Sequence, residues 1–305
     1  MLGEALQASP VFFVVFCSVL GLLVGSFLNV VIHRLPKILC RQRGSECHHI
    51  SQHHRRQKET EESAPNELTF NLAYPASHCP ECGHTIKPWQ NIPVLSFLLL
   101  KGRCGNCSVK IPIQYPLVEA GTGIASALVV WTFGVPALAV AGLVLTWCLI
   151  CLAVIDAADD LVPDQITLPL LWCGLLFNSF SMFASLNDAV WGAIAGYLSL
   201  WSVYWAFKTL ADRDSPRYDD VKLFSALGAW LGWQVLPFVA LLVGLLSVIA
   251  GSITLRVNQK GRDARLPLSS LLAAAGWIAF LWGDQLQRTL LAAFSKFSGC
   301  LLSIA

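Results

Sequence analysis

Charge is scarce in this chain. Of its 305 residues only 13% are Asp, Glu, Lys or Arg, while 55% are hydrophobic, against about 25% charge in an ordinary soluble domain. Mean hydropathy is +0.59. A soluble globular protein is thereby excluded, and a polytopic membrane protein is expected. A basic stretch ahead of the first apolar run is also missing, because the chain starts MLGEALQASP. That run is therefore expected to be a membrane span rather than a removed signal peptide. No G-x-G-x-x-G occurs after a strand, so no soluble dinucleotide-type fold is expected.

Apolar runs long enough to span, roughly 20 residues each, occur at 11–32, 116–134, 136–156, 166–184, 189–208, 235–255 and 266–283. A shorter Ala/Gly/Trp-rich segment at 222–234 makes an eighth. The expected fold is all-α, with about eight transmembrane helices and a large polar insertion, 33–115, between the first and second. Gly21-x-x-x-Gly25 and Gly228-x-x-x-Gly232 have the spacing of helix-packing faces.

Basic residues set the orientation. The insertion holds 11 of the 21 Lys+Arg, and four each lie in 208–222 and 256–265. The short turns near 135, 185 and 234 hold none. Threading eight spans puts all three basic segments on the cytoplasmic side and both termini outside. The loops at 157–165 and 209–221 are then cytoplasmic as well.

Of eleven Cys, five (Cys17, Cys148, Cys151, Cys173, Cys300) fall in apolar stretches and read as inert buried thiols. In the insertion, 40–65 is His-rich and charged in blocks. It reads as a mobile loop, with a His-rich metal tract as its rival; Cys40 and Cys47 belong to it. Beyond it comes Cys79-Pro-Glu-Cys82, then 21 residues, then Cys104-Gly-Asn-Cys107. Two C-x-x-C knuckles at this separation are a zinc signal. Two-residue spacing lets both thiolates of a knuckle reach one ion, and Gly83 and Gly105 are expected to relieve the turns. Four thiolates leave no open position for water, so the site reads as structural. A disulfide pair, disfavoured in a reducing compartment, and redox-active thiols are the rivals. His78 and His84 read as neighbours of the cluster, not ligands.

Two aspartates stand at the ends of expected spans, 64 residues apart: Asp156 in CLAVIDAADDLVPDQITLP and Asp220 in SPRYDDVKLFSALGAWLGW. Ionised groups there are costly unless used. Two carboxylates on one membrane face suggest an aspartic peptidase acting on a membrane-anchored substrate. In such a dyad the ionised Asp deprotonates water while its protonated partner polarises the scissile carbonyl; sequence alone does not say which is the base. Asp164 reads as a helix N-cap and is the rival for the first catalytic position. Asp159 and Asp160 read as solvated loop charges. Windows 156–164 and 212–220 contain four Asp each, a negative mouth suited to a basic peptide.

These motifs combine in order. Gly25-Ser-Phe-Leu-Asn-Val-Val-Ile-His-Arg-Leu-Pro36 closes the first span, and the tetra-Cys module carries IKPWQNIPVLSFLLLKGRC between its knuckles. Then come Ile113-Gln-Tyr-Pro-Leu-Val-Glu119, Ile155-Asp156 with Leu161-Val-Pro-Asp-Gln-Ile-Thr-Leu-Pro-Leu-Leu-Trp172, and Asp220-Val-Lys222-Leu with Gly228-Ala-Trp-Leu-Gly232. From about residue 20 to about 255 the chain resembles the type IV prepilin leader peptidase family, bifunctional enzymes of the bacterial inner membrane. The resemblance implies cleavage of basic leader peptides from type IV prepilins and type II secretion pseudopilins at the cytoplasmic face. It further implies methylation of the new N-terminal amine with S-adenosylmethionine. It places the catalytic pair on Asp156 and Asp220, and structural Zn2+ on Cys79, Cys82, Cys104 and Cys107. The implied division is a first transmembrane helix (1–32), a zinc-binding, methyltransferase-associated insertion (33–115) and a transmembrane peptidase domain (116–305). Substrate prepilins and the lipid bilayer are the implied partners, nucleic acid is not, and the oligomeric state stays open. Glu119, at the mouth of the second span, is weighed as a contact for the amine and as an interfacial anchor.

One stretch departs from the family's G-x-G-D-x-K, reading Arg217-Tyr218-Asp219-Asp220-Val221-Lys222. Both glycines are gone, and Asp219 adds a third acid whose charge could disturb proton sharing. The alternative reading is a peptidase-impaired homologue, acting as methyltransferase only or as a membrane scaffold.

Overall fold

The computed structural model describes residues 10–43, 71–72, 74, 77–79, 81–86, 92–134, 136–211, 218–257, 267–283 and 285. The His-rich tract with Cys47, the acids at 212 and 214, Arg217 and Cys300 lie outside them. The chain divides into two compact units, Met1–Pro163 and Asp164–Ala305.

In the first unit, α1 (Pro10–Arg43) is followed by a short helix, α2 (Leu95–Leu99), then α3 (Gln114–Phe133) and α4 (Pro136–Asp159). Helix α1 runs on past the expected span end at 32, through Pro36, because Leu35 and Leu39 give the extension a buried face. Its small-residue stripe packs on α3 as expected: a Cβ on Gly25 would lie 2.8 Å from Glu119 Cα and 3.1 Å from Thr122 Cβ. The polar groups at this interface are matched. Thr122 and Ser126 hydroxyls donate back to Val118 and Thr122 carbonyls at 2.7 Å, and Trp147 Nε1 of α4 donates to Ser126 Oγ at 3.0 Å. Asn29 Nδ2 of α1 donates to the Tyr115 carbonyl at 3.0 Å, tying α1 to the start of α3.

The second unit comprises α5 (Asp164–Ser179), α6 (Leu186–Ala211), α7 (Tyr218–Leu231), a 3-10 turn (Trp233–Val235), α8 (Leu236–Val257) and α9 (Leu268–Gly283). Helix α7 is its centre. Nine of its residues from Val221 to Trp230 and Asp220 are buried. Gly228 meets Gly192 of α6 backbone to backbone, an approach any Cβ would block. Gly232, the other half of the expected packing pair, has φ +81 and its N–H bonds the Gly228 carbonyl at 2.9 Å, so it ends the helix. Fully buried Trp230 lies against Gly174 of α5 and donates Nε1–H to the Leu170 carbonyl at 2.8 Å. Asn178, also fully buried, donates to the carbonyls of Ala229 and Trp230 (2.8 and 3.0 Å) and accepts the N–H groups of Phe183 and Ala184, both at 3.1 Å. It thus caps the end of α7 and shapes the turn into α6.

Helices correspond to all eight expected segments among the described residues, yet only four are long and apolar enough to cross a bilayer by length and composition: α1, α3, α4 and Trp233–Thr254. Helices α5 and α7 have 16 and 14 residues, roughly 24 and 21 Å at 1.5 Å per residue, short of a hydrocarbon core of about 30 Å. Helix α6 has 26 residues, but its Ser, Asn, Asp, Trp, Tyr and Lys dilute its hydropathy. The chain is an integral membrane protein of mostly helical build.

Candidate functional sites

Each cysteine knuckle is a small closed hairpin. In the first, His78 and Thr85 form an isolated bridge, Cys79 N–H bonds the His84 carbonyl, and Gly83 N–H bonds the Cys79 carbonyl, both at 2.9 Å. In the second, Arg103 pairs with Lys110, Cys104 N–H bonds the Val109 carbonyl at 2.8 Å, and Ser108 N–H bonds the Cys104 carbonyl at 3.0 Å. The left-handed positions are Gly83 (φ +66) and Ser108 (φ +61). Gly105, expected to relieve the second turn, is not at that position. Ser108 is, and superposing the two knuckles from their first cysteines would have shown it.

The four Sγ atoms of Cys79, Cys82, Cys104 and Cys107 lie within 4.8 Å of one another, with Cys79 and Cys107 at 3.7 Å. A tetrahedron of Zn–S bonds of about 2.3 Å has edges of about 3.8 Å, so the cluster fits the ion. The backbone favours thiolate: N–H groups of Cys107 and Asn106 hold the Cys104 thiol down at about 6, and a hydrogen bond from the His84 backbone, then one from Asn106, lowers Cys82. Against a backbone hydrogen bond from Val109, desolvation and then hydrogen bonds to its three cysteine neighbours push Cys107 up to about 12.

The module is tied to the membrane helices by Glu119. Its Oε2 accepts the N–H of Val94 at 2.7 Å, and Val94, at φ +59, opens α2. Glu119 is thus an anchor for the segment between the knuckles. Its charge satisfies one of the N–H groups left unpaired at that helix start.

Asp156 lies near the C-terminal end of α4 with no exposed surface, beside fully buried Leu152 and Ile155. Asp160, exposed and at φ +52, ends that helix by bonding the Asp156 carbonyl at 3.0 Å. In the second unit, Asp220 is in the first turn of α7, 1% exposed, and accepts a hydrogen bond from Ser269 Oγ at the start of α9. Asp164, expected to be an N-cap, is the first helical residue of α5. Its carboxylate, however, goes to Lys222 Nζ at 2.7 Å.

Of the residues beside Asp220 in the stretch that departs from the glycine-framed pattern, Tyr218 and Asp219 are described, and neither is buried. Asp219 Oδ1 lies 3.3 Å from Lys222 Nζ, its side chain 31% exposed. Tyr218 is exposed, shares a hydroxyl–hydroxyl hydrogen bond with Tyr197, and carries Lys222 Nζ 5.3 Å from its ring centroid. The third acid is therefore paired with a cation rather than turned inward with Asp220. Ser269, Asn178 and Val94 gave no sequence signal of function.

An apolar helical scaffold with a four-cysteine cluster able to hold a metal ion and two aspartates buried at helix ends defines a helical membrane protein with a metal-site module. Two family models match: the Bacterial Peptidase A24 N-terminal domain over residues 19–133, and the Type IV leader peptidase family over 143–252. The chain is 48% identical over 288 residues to a prepilin leader peptidase/N-methyltransferase of Pseudomonas aeruginosa, covering 94% of this chain and 97% of that one. It is 45% identical to one from Aeromonas hydrophila (96% and 99% covered) and 41% identical to one from Dichelobacter nodosus (94% and 97%). The chain belongs to the type IV prepilin leader peptidase family. No solved structure matches it significantly.

Proposed function

We propose that this protein cleaves the basic leader peptide from type IV prepilins and type II secretion pseudopilins at the cytoplasmic face of the bacterial inner membrane. It then methylates the new N-terminal amine. The observation that carries the reading is the burial of Asp156 and Asp220 at ends of apolar helices in a chain that belongs to this family. A carboxyl buried without solvent at a helix end is costly, and two of them at the family's motif positions have a use as a dyad. One takes a proton from water, the other gives one to the scissile carbonyl oxygen. The alternative, a peptidase-impaired homologue, rested on the two lost glycines and on the third acid; it is not favoured, because the chain matches the peptidase family and Asp219 has its own cation in Lys222.

Eight spans, with the insertion and the loops at 157–165 and 209–221 in the cytoplasm, assign both aspartates to the same membrane face. The chain then comprises a first transmembrane helix, 1–32, the insertion 33–115 and the peptidase domain 116–305. Cys79, Cys82, Cys104 and Cys107 would hold Zn2+, which supplies a closed structural crosslink and no chemistry. S-adenosylmethionine is the methyl donor of this reading. A basic leader suits the acids of 156–164 and 212–220, and its processing should weaken as salt rises.

Membranes containing the full chain, incubated with a prepilin, test the dyad. Cleavage lost in both Asp156→Asn and Asp220→Asn supports it, and normal cleavage in either variant sinks it.

A further inference from the structure

Ser269 lies beyond residue 252, where the family match ends. It is fully buried, stands in the first turn of α9, and its Oγ–H donates to Asp220 Oδ1. Seven residues further along both helices, Gly276 of α9 faces Leu227 of α7: a Cβ on Gly276 would fall 2.5 Å from Leu227 Cδ2. Equal steps of seven residues, two helical turns, mean that α7 and α9 run side by side in the same direction. The hydrogen bond is at their starts and the glycine contact two turns on. Helix packing, not a mobile side chain, holds the two groups together.

The bond has a chemical direction. Its proton occupies Oδ1 as an acceptor, so Oδ1 is not the atom that carries the proton of a neutral carboxyl. Asp220 also lies in the first turn of its helix, among N–H groups and at the positive end of the dipole, which attract negative charge. Asp156 sits at the opposite kind of end, the last turn of α4, where carbonyls rather than N–H groups are left over. The two carboxyls therefore meet opposite backbone polarity.

We propose that Ser269 is a positioning residue for proteolysis: by donating to Oδ1 it orients the Asp220 carboxylate and favours it as the group that takes the proton from water. This rests on the dyad reading above. Water gives its proton to Asp220 Oδ2 while its oxygen bonds the scissile carbon, and Asp156 gives its proton to the carbonyl oxygen. When the C–N bond breaks, Asp220 passes its proton to the leaving amine and Asp156 takes back the one it lent, which restores both groups.

The test is steady-state cleavage of a prepilin by the purified full chain, with methylation of a pre-cleaved pilin as the check on folding. Ser269→Ala should lower kcat about 10-fold or more, the size of one hydrogen bond to a charged group, with KM within about 2-fold of the parent. Ser269→Thr, which keeps the hydroxyl, should recover most of the loss. Parental kcat in Ser269→Ala, or a rise in KM alone, overturns the inference while leaving the dyad intact. Should Ser269→Ala also lose methylation, the isosteric pair Ser269→Thr and Ser269→Val decides, and equal kcat in the two overturns it. Cleavage that persists in Asp220→Asn defeats the dyad reading and this inference with it.

Discussion

Lys222 Nζ lies 2.7 Å from Asp164 Oδ1, joining the start of α5 to the start of α7. The same ammonium is 3.3 Å from Asp219 Oδ1. The lysine thus serves the N-terminal ends of two helices and the one acid that the family pattern does not contain. Both partners are about one-third exposed, so the attraction is screened and its value lies in placing α5 against α7. Asp219→Gly should therefore leave prepilin cleavage within about 2-fold of the parent, and Lys222→Met should lower it about 10-fold by loosening the helix start that carries Asp220. Initial rates in membranes measure both. A large gain in Asp219→Gly would show instead that the third acid burdens the pair.

Asn178 uses its whole amide in a fully buried place, with two donors to the end of α7 and two accepted N–H groups from the turn before α6. Asn178→Ala takes a hydrogen-bond partner from four backbone groups there. A loss of about 2–4 kcal/mol is expected, read as a lower midpoint of thermal or denaturant unfolding in detergent. An unchanged midpoint would mean that water reaches the turn.

In the second knuckle, Ser108 holds the left-handed geometry that Gly83 holds in the first. Ser108→Gly should relieve about 1 kcal/mol of backbone strain, partly offset by glycine's greater freedom when unfolded. Gly83→Ala should have the opposite sign. Slower zinc release to a chelator in the first variant and faster release in the second is the expected result.

Cys104 is held at about 6 by the N–H groups of Cys107 and Asn106. A thiol depressed below its ordinary value near 8.5 contributes stability that is present above that value and is lost as pH falls through about 6. Zinc uptake displaces thiol protons, and above about 6 Cys104 has none to give up. The slope of log Kd for zinc against pH should steepen by about one below that point. A slope without a break near 6 would show that the knuckle forms only around the metal.

Much of the site was legible in the chain because it depends on short-range chemistry. The two-residue spacing of Cys79/Cys82 and Cys104/Cys107 brings each pair of thiolates together by itself, and low charge with long apolar runs dictates helices wherever the bilayer would leave backbone groups unpaired. Asp156 and Asp220 stood out since a charge at the end of an apolar helix needs a reason. What tertiary structure decided was direction and partnership. Asp219 turns to Lys222, Glu119 holds the Val94 N–H, Ser108 takes the left-handed turn, and Ser269 meets Asp220 from 49 residues away. The Asp219–Lys222 pair and the Ser108 turn are local, three residues apart on one helix and inside one knuckle, whereas the Glu119 and Ser269 bonds span 25 and 49 residues and no local pattern encodes them; on the helix side, Gly192, Gly228 and Gly276 let the faces approach closely enough to choose.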